Sequence, residues 1–288
     1  MAKKISIFQI DAFTDKPFGG NPAGVTFGDG LLKEEMQLIA REMNLAETAF
    51  ISKSDKAEYN LRWFTPATEV ELCGHATIAS LHFLMENGVI KDNSEIKFDT
   101  RSGILKCGVK NNKYFMQIPV FKIETYTTNK MEILTALGLT PDLTVESSPF
   151  LMMENGYLYI HVKRLASIRE MQPDFKHLLK LQKKQNFGGA VVFTRETVDK
   201  ESSAHIRFFA PFYGIDEDPV TGSANGPLML VLRRLGLVRN DKDDISLIFE
   251  QGDIIKRRGR IFVDYSPENN ELFISGTAVT VLKGEMIF

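Results

Sequence analysis

Apolar and polar positions alternate at the start of the chain, but not on one unbroken face. Ile5 and Ile7 alternate with Ser6, and Phe8 and Ile10 alternate with Gln9, so the phase slips once. A short apolar run of this kind, Ile5 to Phe13, predicts a strand. Pro17 to Gly24 is dense in glycine and proline and predicts a turn, followed by a second strand at Val25–Phe27. Met36, Ile39, Ala40 and Met43 recur at helical spacing and predict a helix from about Leu32 to Met43. Strands follow at Thr48–Ile51 and Tyr59–Phe64. From Gly74 the period changes to a helix with little polar surface, ending at Asn87-Gly88, and a helix apolar on most faces is usually buried.

The second half carries its own elements. Helices are predicted near Lys130–Leu137, Phe175–Gln185 and Gly222–Leu235, the last rich in small residues at its start. Strands are predicted at Ala190–Phe193, His205–Phe209, Leu247–Phe249 and Leu272–Ser275.

The halves echo one another. Arg62-Trp63-Phe64-Thr65-Pro66 is repeated as Arg207-Phe208-Phe209-Ala210-Pro211. Each is followed by acids and then by a glycine that opens an apolar helix, Cys73-Gly74-His75-Ala76 in one half and Thr221-Gly222-Ser223-Ala224 in the other. Thr48-Ala49-Phe50 matches Val191-Val192-Phe193, and Phe98-Asp99 matches Phe249-Glu250, in the same order. Four echoes in one order predict two duplicated domains, 1–122 and 123–288.

Composition narrows the function classes. Lys and Arg number 35 against 37 Asp and Glu, a formal charge of -2 that excludes a strongly basic nucleic-acid binder. The chain is 43% hydrophobic, enough for a large core, yet no apolar run approaches the roughly 18 residues of a membrane span. Met1 to Ile5 looks faintly like the start of a signal segment, but the apolar stretch stops at Asp11 without a cleavage site and reads as a strand. Two cysteines, Cys73 and Cys107, exclude a disulfide framework and fit a reducing compartment, so a cytoplasmic protein without nucleic-acid or membrane partners is expected.

Candidate chemistry gathers at the two glycine-opened helices. A helix N-terminus carries unpaired N–H groups and a partial positive charge, and a glycine there lets a carboxylate approach the backbone. Gly74 and His75 would hold one such group, Gly222 and Ser223 another; the alternative is that the glycines only allow close packing. His75 is equally a simple cap. No second histidine lies at ligand spacing, which reads against a zinc site. Glu47 is the only acid between a helix end and an apolar strand, and its counterpart near Ala190 is not an acid. It reads either as a general acid/base or as a surface glutamate. Asp218 precedes the second helix in a loop, where Asp216 and Glu217 compete for the same role. Cys73 precedes a helix N-terminus, where thiol pKa values fall. Its counterpart is Thr221, so no two-thiol mechanism is available there. Phosphate-loop, dinucleotide, nucleophile-elbow and H-E-x-x-H motifs are absent.

Asp11-Ala12-Phe13 leading to Gly20-Asn21-Pro22, Asn44 to Phe50, Phe64-Thr65-Pro66, Cys73 to Thr77 and Asp218 to Ala224 together resemble the PhzF family of phenazine biosynthesis-like proteins. The resemblance implies an α+β fold shared with diaminopimelate epimerase. That fold has two similar domains, each a mostly antiparallel sheet curled around a central helix, with the site between them. It also implies that the final strand, about 277–288, returns to the first domain. In the founding enzyme a glutamate moves a proton within a dihydro-hydroxyanthranilate without cofactor or metal. By resemblance Glu47 is that acid/base, with His75 and Asp218 beside it. Gly74, His75, Gly222, Ser223, Asn21 and Cys73 form the substrate-binding set. The expected function is a cofactor-independent isomerase of a small carboxylate-bearing metabolite, acting as a homodimer. The alternatives are an amino-acid racemase or epimerase, and a non-catalytic metabolite-binding protein.

Overall fold

A computed structural model describes residues 2–239 and 243–288. Met1 and 240–242, which fall within the domain ranges read from the sequence, lie outside the described residues. The chain divides into two compact units, Met1–Gln117 with Phe273–Phe288, and Ile118–Leu272.

The first unit opens with strand β1 (Lys4–Ala12), followed by β2 (Asn21–Phe27), helix α1 (Lys33–Met43), β3 (Glu47–Ser52), β4 (Tyr59–Phe64) and β5 (Glu69–Val70). Helix α2 (Gly74–Glu86) comes next, then β6 (Ser94–Thr100), β7 (Gly103–Lys110) and β8 (Lys113–Ile118). Neighbours pair antiparallel except β2 with β3 and β4 with β6, which are parallel. The phase slip in β1 has a physical cause: both faces of the strand are covered. Ile7 packs with Met36, Ile39 and Ala40 of α1, whereas the Phe8 ring meets Phe83 of α2 edge-on at 4.9 Å. A strand between two helices has no polar face to alternate with. Helix α2 is buried on nearly every side, from His75 through Leu84, and is the unit's central helix. Helix α1 buries only Met36, Ile39 and Ala40, as its amphipathic spacing requires.

The predicted turn before β2 is shorter than its composition indicates. It closes at Gly20, whose φ of +54° is left-handed and whose Cβ would sit 2.0 Å from the Ala12 carbonyl oxygen. The strand itself begins at Asn21, with Pro22 opposite Asp11. Proline is tolerated close to a strand start, which composition alone reads as loop.

The second unit repeats this order. It contains β9 (Ile123–Tyr126), α3 (Lys130–Ala136), β10 (Phe150–Met153), β11 (Tyr157–His161), α4 (Leu165–Glu170), α5 (Phe175–Gln185) and β12 (Gly189–Thr194). It continues with β13 (Ala204–Ala210), β14 (Ile215–Asp218), α6 (Gly222–Arg234), β15 (Ile245–Gln251) and β16 (Gly259–Ser266), while β17 (Glu271–Gly276) starts at its end and falls mostly in the closing segment of the first unit. Pairs β11–β12 and β13–β15 are parallel, as β2–β3 and β4–β6 are; the other pairs from β9 to β16 are antiparallel. Helix α6 is the buried central helix, and α3 and α5 pack a separate core around Ile133, Leu178, Leu181 and Phe209. Two features differ from the sequence reading. Helix α4 is too short for its period to register, and Asp216–Asp218 stand on β14 rather than in a loop.

The last strand, β18 (Ala278–Ile287), pairs antiparallel with β1 from Lys4↔Ile287 to Ala12↔Ala278, with a register shift at Gln9/Ile10. It thereby does in the first unit what β9 does beside β10 in the second. The duplication extends to side chains. Arg62 makes a two-pronged ion pair with Glu69 at 2.7 and 3.0 Å, and Arg207 makes the same pair with Glu217 at 2.8 and 2.7 Å. Each guanidinium also lies over the phenylalanine two residues on, Phe64 at 5.1 Å and Phe209 at 4.9 Å. The expected fold class, two similar α+β units each curled around a central helix, is the one observed.

Candidate active site

In the first unit the chemistry stands at the start of α2. Cys73 is the N-cap in extended conformation, and no side chain caps the helix and no acid lies in its first turn. The first N–H groups are therefore available to an anion. Thr77 Oγ1 donates to the Cys73 carbonyl at 2.6 Å and fixes the turn. Glu47 is the first residue of β3, in register with Ala23 on β2, two residues from fully buried Asn21. From there it meets the helix: Glu47 Oε2 is 3.2 Å from His75 Nε2, and Cys73 Sγ is 3.6 Å from His75 Nδ1.

These side chains are largely out of water, His75 at 8% and Glu47 at 13% exposure. Glu47 Oε2 is buried, yet no donor is aligned on it in hydrogen-bond geometry; the His75 contact is close but poorly directed. Such an oxygen is costly to keep unless something else uses it. Burial works against a charged His75, but Cys73 and Glu47 beside it lift its pKa well above the ordinary imidazole value. Burial pushes the Cys73 thiol up, and the Glu47 charge adds to that. The sequence expectation of a lowered thiol pKa at a helix start is thus reversed, because desolvation and the Glu47 charge outweigh the His75 ring and the Ala76 N–H, which act to lower it. The charged form of the His75 ring and the protonated form of the Cys73 thiol are therefore favoured.

The second unit has a different chemistry at the equivalent place. Thr221 replaces Cys73 as N-cap and donates from Oγ1 to Asp218 Oδ2. The three acids that spacing left equivalent are now distinct: Asp216 is exposed, Glu217 is committed to Arg207, and Asp218 is buried. Ser223, the counterpart of His75, has Oγ 3.4 Å from the Tyr157 hydroxyl. Pro227 lies inside α6 and has no N–H for the Ser223 carbonyl, which instead accepts from Asn155 Nδ2 at 3.2 Å. The register Phe209↔Ala190 against Phe64↔Thr48 makes Gly189 the counterpart of Glu47, so the acid has no duplicate.

Gln251, at the end of β15, is a residue that sequence reading did not single out. Its buried amide donates to the Asp218 carbonyl at 2.8 Å and to Thr221 Oγ1 at 3.1 Å. Its oxygen accepts from the Thr221 N–H at 2.9 Å and from Asn225 Nδ2 at 2.7 Å. One side chain therefore holds the end of β14 to the start of α6. Gln251→Leu leaves these groups buried without partners and is expected to destabilise the protein by about 2 kcal/mol. Denaturant unfolding checks this, and an unchanged midpoint would remove Gln251 from that role.

The chain matches the sequence profile of the PhzC-PhzF family, phenazine biosynthesis-like proteins, over residues 10–284. It is 38% identical to an uncharacterized isomerase of Clostridium acetobutylicum, aligned over 100% of this chain and 99% of that one. It is 33% identical to the uncharacterized isomerase YfhB of Bacillus subtilis over 97% of each. The crystal structure of a Bacillus anthracis phenazine biosynthesis protein of the PhzF family superposes with a TM-score of 0.92. That pair shares 32% identity over 99% of this chain and 100% of the other.

Proposed function

The chain belongs to the PhzC-PhzF family of phenazine biosynthesis-like proteins and is an isomerase, and from that premise we propose that Glu47 moves a proton between two carbons of a small carboxylate-bearing metabolite without a cofactor. The observation that carries this reading is the buried Glu47 oxygen with no aligned donor, 3.2 Å from the His75 ring. A carboxylate held there is free to accept a proton from carbon. The protonated Glu47 then returns it at a second carbon. His75, charged beside it, offsets the negative charge that develops on the substrate. The first-turn N–H groups of Gly74 and His75 receive the substrate carboxylate, with Asn21 and Cys73 among the contacts. By the family resemblance, Gly222 and Ser223 of the second unit are proposed to bind substrate and Asp218 to handle a proton. The same reading takes the protein as a cytoplasmic homodimer, on the strength of the family resemblance.

Proton NMR in heavy water tests it, on a panel of dihydro-hydroxyanthranilate, small amino-dicarboxylates and cyclic carboxylates. Migration or loss of a carbon-bound proton with the wild-type protein is the expected result. Ligands that bind without any exchange would favour a metabolite-binding protein instead. Cys73→Ala separates isomerisation from a two-base racemase using Glu47 and Cys73. A thiol raised in pKa is a poor base at neutral pH, so the variant is expected to keep exchange within about tenfold of wild type. Loss of exchange with Glu47 intact would move the reading to the racemase.

A further inference from the structure

We propose that Glu47, Cys73 and His75 also form a binding site for a borderline-soft divalent metal ion, Zn²⁺ above all, that competes with substrate for the same side chains. One carboxylate, one thiolate and one imidazole are the donor mixture such ions take. Tetrahedral coordination at ordinary zinc bond lengths separates nitrogen from oxygen by about 3.3 Å and sulfur from nitrogen by about 3.6 Å. Glu47 Oε2 lies 3.2 Å from His75 Nε2, and Cys73 Sγ lies 4.0 Å from the same nitrogen. One donor atom from each residue falls within 4.8 Å of the others. Small side-chain adjustments therefore bring all three onto one ion.

The buried Glu47 oxygen gains the partner it lacks. On binding, the Cys73 sulfur–hydrogen bond and the His75 Nε2–hydrogen bond give way to sulfur–metal and nitrogen–metal bonds, and both protons pass to solvent. Nothing is oxidised or reduced. Three protein ligands leave the fourth position open to water. The spacing of the chain hides this set, because Glu47 stands 26 residues before Cys73.

A second cluster, His205, Glu250 and Asp253, has comparable spacing but a different chemistry. There the Arg260 guanidinium is 2.9 Å from Asp253 and 3.6 Å from Glu250, so a cation already occupies the acids. No sulfur is present. That cluster is an ion-pair network, and it serves as the internal control.

Cobalt(II) is the probe, titrated anaerobically into the reduced full-length protein. The expected result is one equivalent bound with visible tetrahedral d–d bands and a near-ultraviolet thiolate-to-cobalt band, all displaced by Zn²⁺. Cys73→Ser is expected to lose the thiolate band and weaken binding by roughly 100-fold or more. Cys107→Ser and Glu250→Gln keep both, and circular dichroism verifies that each variant is folded. Absence of tetrahedral cobalt, or a thiolate band that survives Cys73→Ser, overturns the proposal. Inhibition of proton exchange by Zn²⁺ is a separate arm that rests on the proton-transfer reading. Cobalt bound by a protein that exchanges no proton on any substrate would sink that reading and leave the metal site standing.

Discussion

Glu47→Gln is expected to lower proton exchange by roughly 10²- to 10⁴-fold, the range a positioned general acid/base supplies. The substitution keeps the volume and planarity of the side chain, and its amide oxygen can still face His75 Nε2. What it removes is the ability to accept a proton from carbon and give it back. Binding and fold are therefore expected to survive. The α2 N–H groups proposed to receive a carboxylate do not involve the Glu47 side chain, so ligand affinity should stay within about tenfold of wild type. Heavy-water NMR for exchange and calorimetry for binding, on one preparation, make the test. Exchange that persists within a few-fold of wild type would remove Glu47 from the mechanism. Exchange and affinity lost together would assign it to binding.

The largest expected stability effect lies in the second unit. The parallel register of β13 and β15 sets His205 beside Glu250, both side chains fully buried and 2.9 Å apart. Glu250 also accepts the N–H groups of Val198 at 2.8 Å and Asp199 at 2.6 Å. Removing the buried carboxylate strands the His205 ring, the Val198 and Asp199 N–H groups and the Arg260 charge, so Glu250→Ala is expected to cost about 3–5 kcal/mol by urea unfolding. The pH dependence follows. Burial raises the Glu250 carboxyl, but the His205 bond, the two N–H donors and Arg260 outweigh it and hold it at about 2. In the unfolded chain a glutamate titrates at about 4.3. Its folded pKa is the lower one, so its contribution is complete above about pH 4.3 and is lost as pH falls toward 2. Wild type should therefore lose more stability than Glu250→Gln between pH 5 and pH 3. Parallel pH curves for the two proteins would contradict the assignment.

The long periodic segments were legible in the sequence. Helix α5 runs over the predicted Phe175–Gln185, and both central helices begin at their predicted glycines. The duplication was legible because Arg62 and Arg207, with the acids that follow, recur in order. Its reason was not, since only the structure shows each arginine clamping one acid and covering one phenylalanine. Short elements escaped. Strands β9 and β10 span four residues each and α4 six, too few for a period to stand out. Asp216–Asp218 read as loop because acids are poor strand formers, whereas pairing of Asp218 with Phe208 decides the matter. At the candidate site the residue types were legible and their electrostatics were not. Nothing in the spelling Cys73-Gly74-His75 reveals that burial raises the thiol, or that an acid 28 residues before the imidazole reaches it. Gln251 carries no motif; it matters only because β15 ends beneath α6.

The strand that completes the sheet beside β1 is the last one of the chain, and this sets an order of events during synthesis. The second unit is one continuous stretch, and its β9 and β10 pair within it. During synthesis β1 waits for a neighbour that lies some 270 residues further on. Until β18 leaves the ribosome, the backbone groups of Lys4 to Gln9 on that side are an open template for any extended chain. A nascent polypeptide stalled short of residue 278 is thus a half-finished sheet with a sticky margin. Closing that margin is a contact of very high sequence separation, and so a slow one.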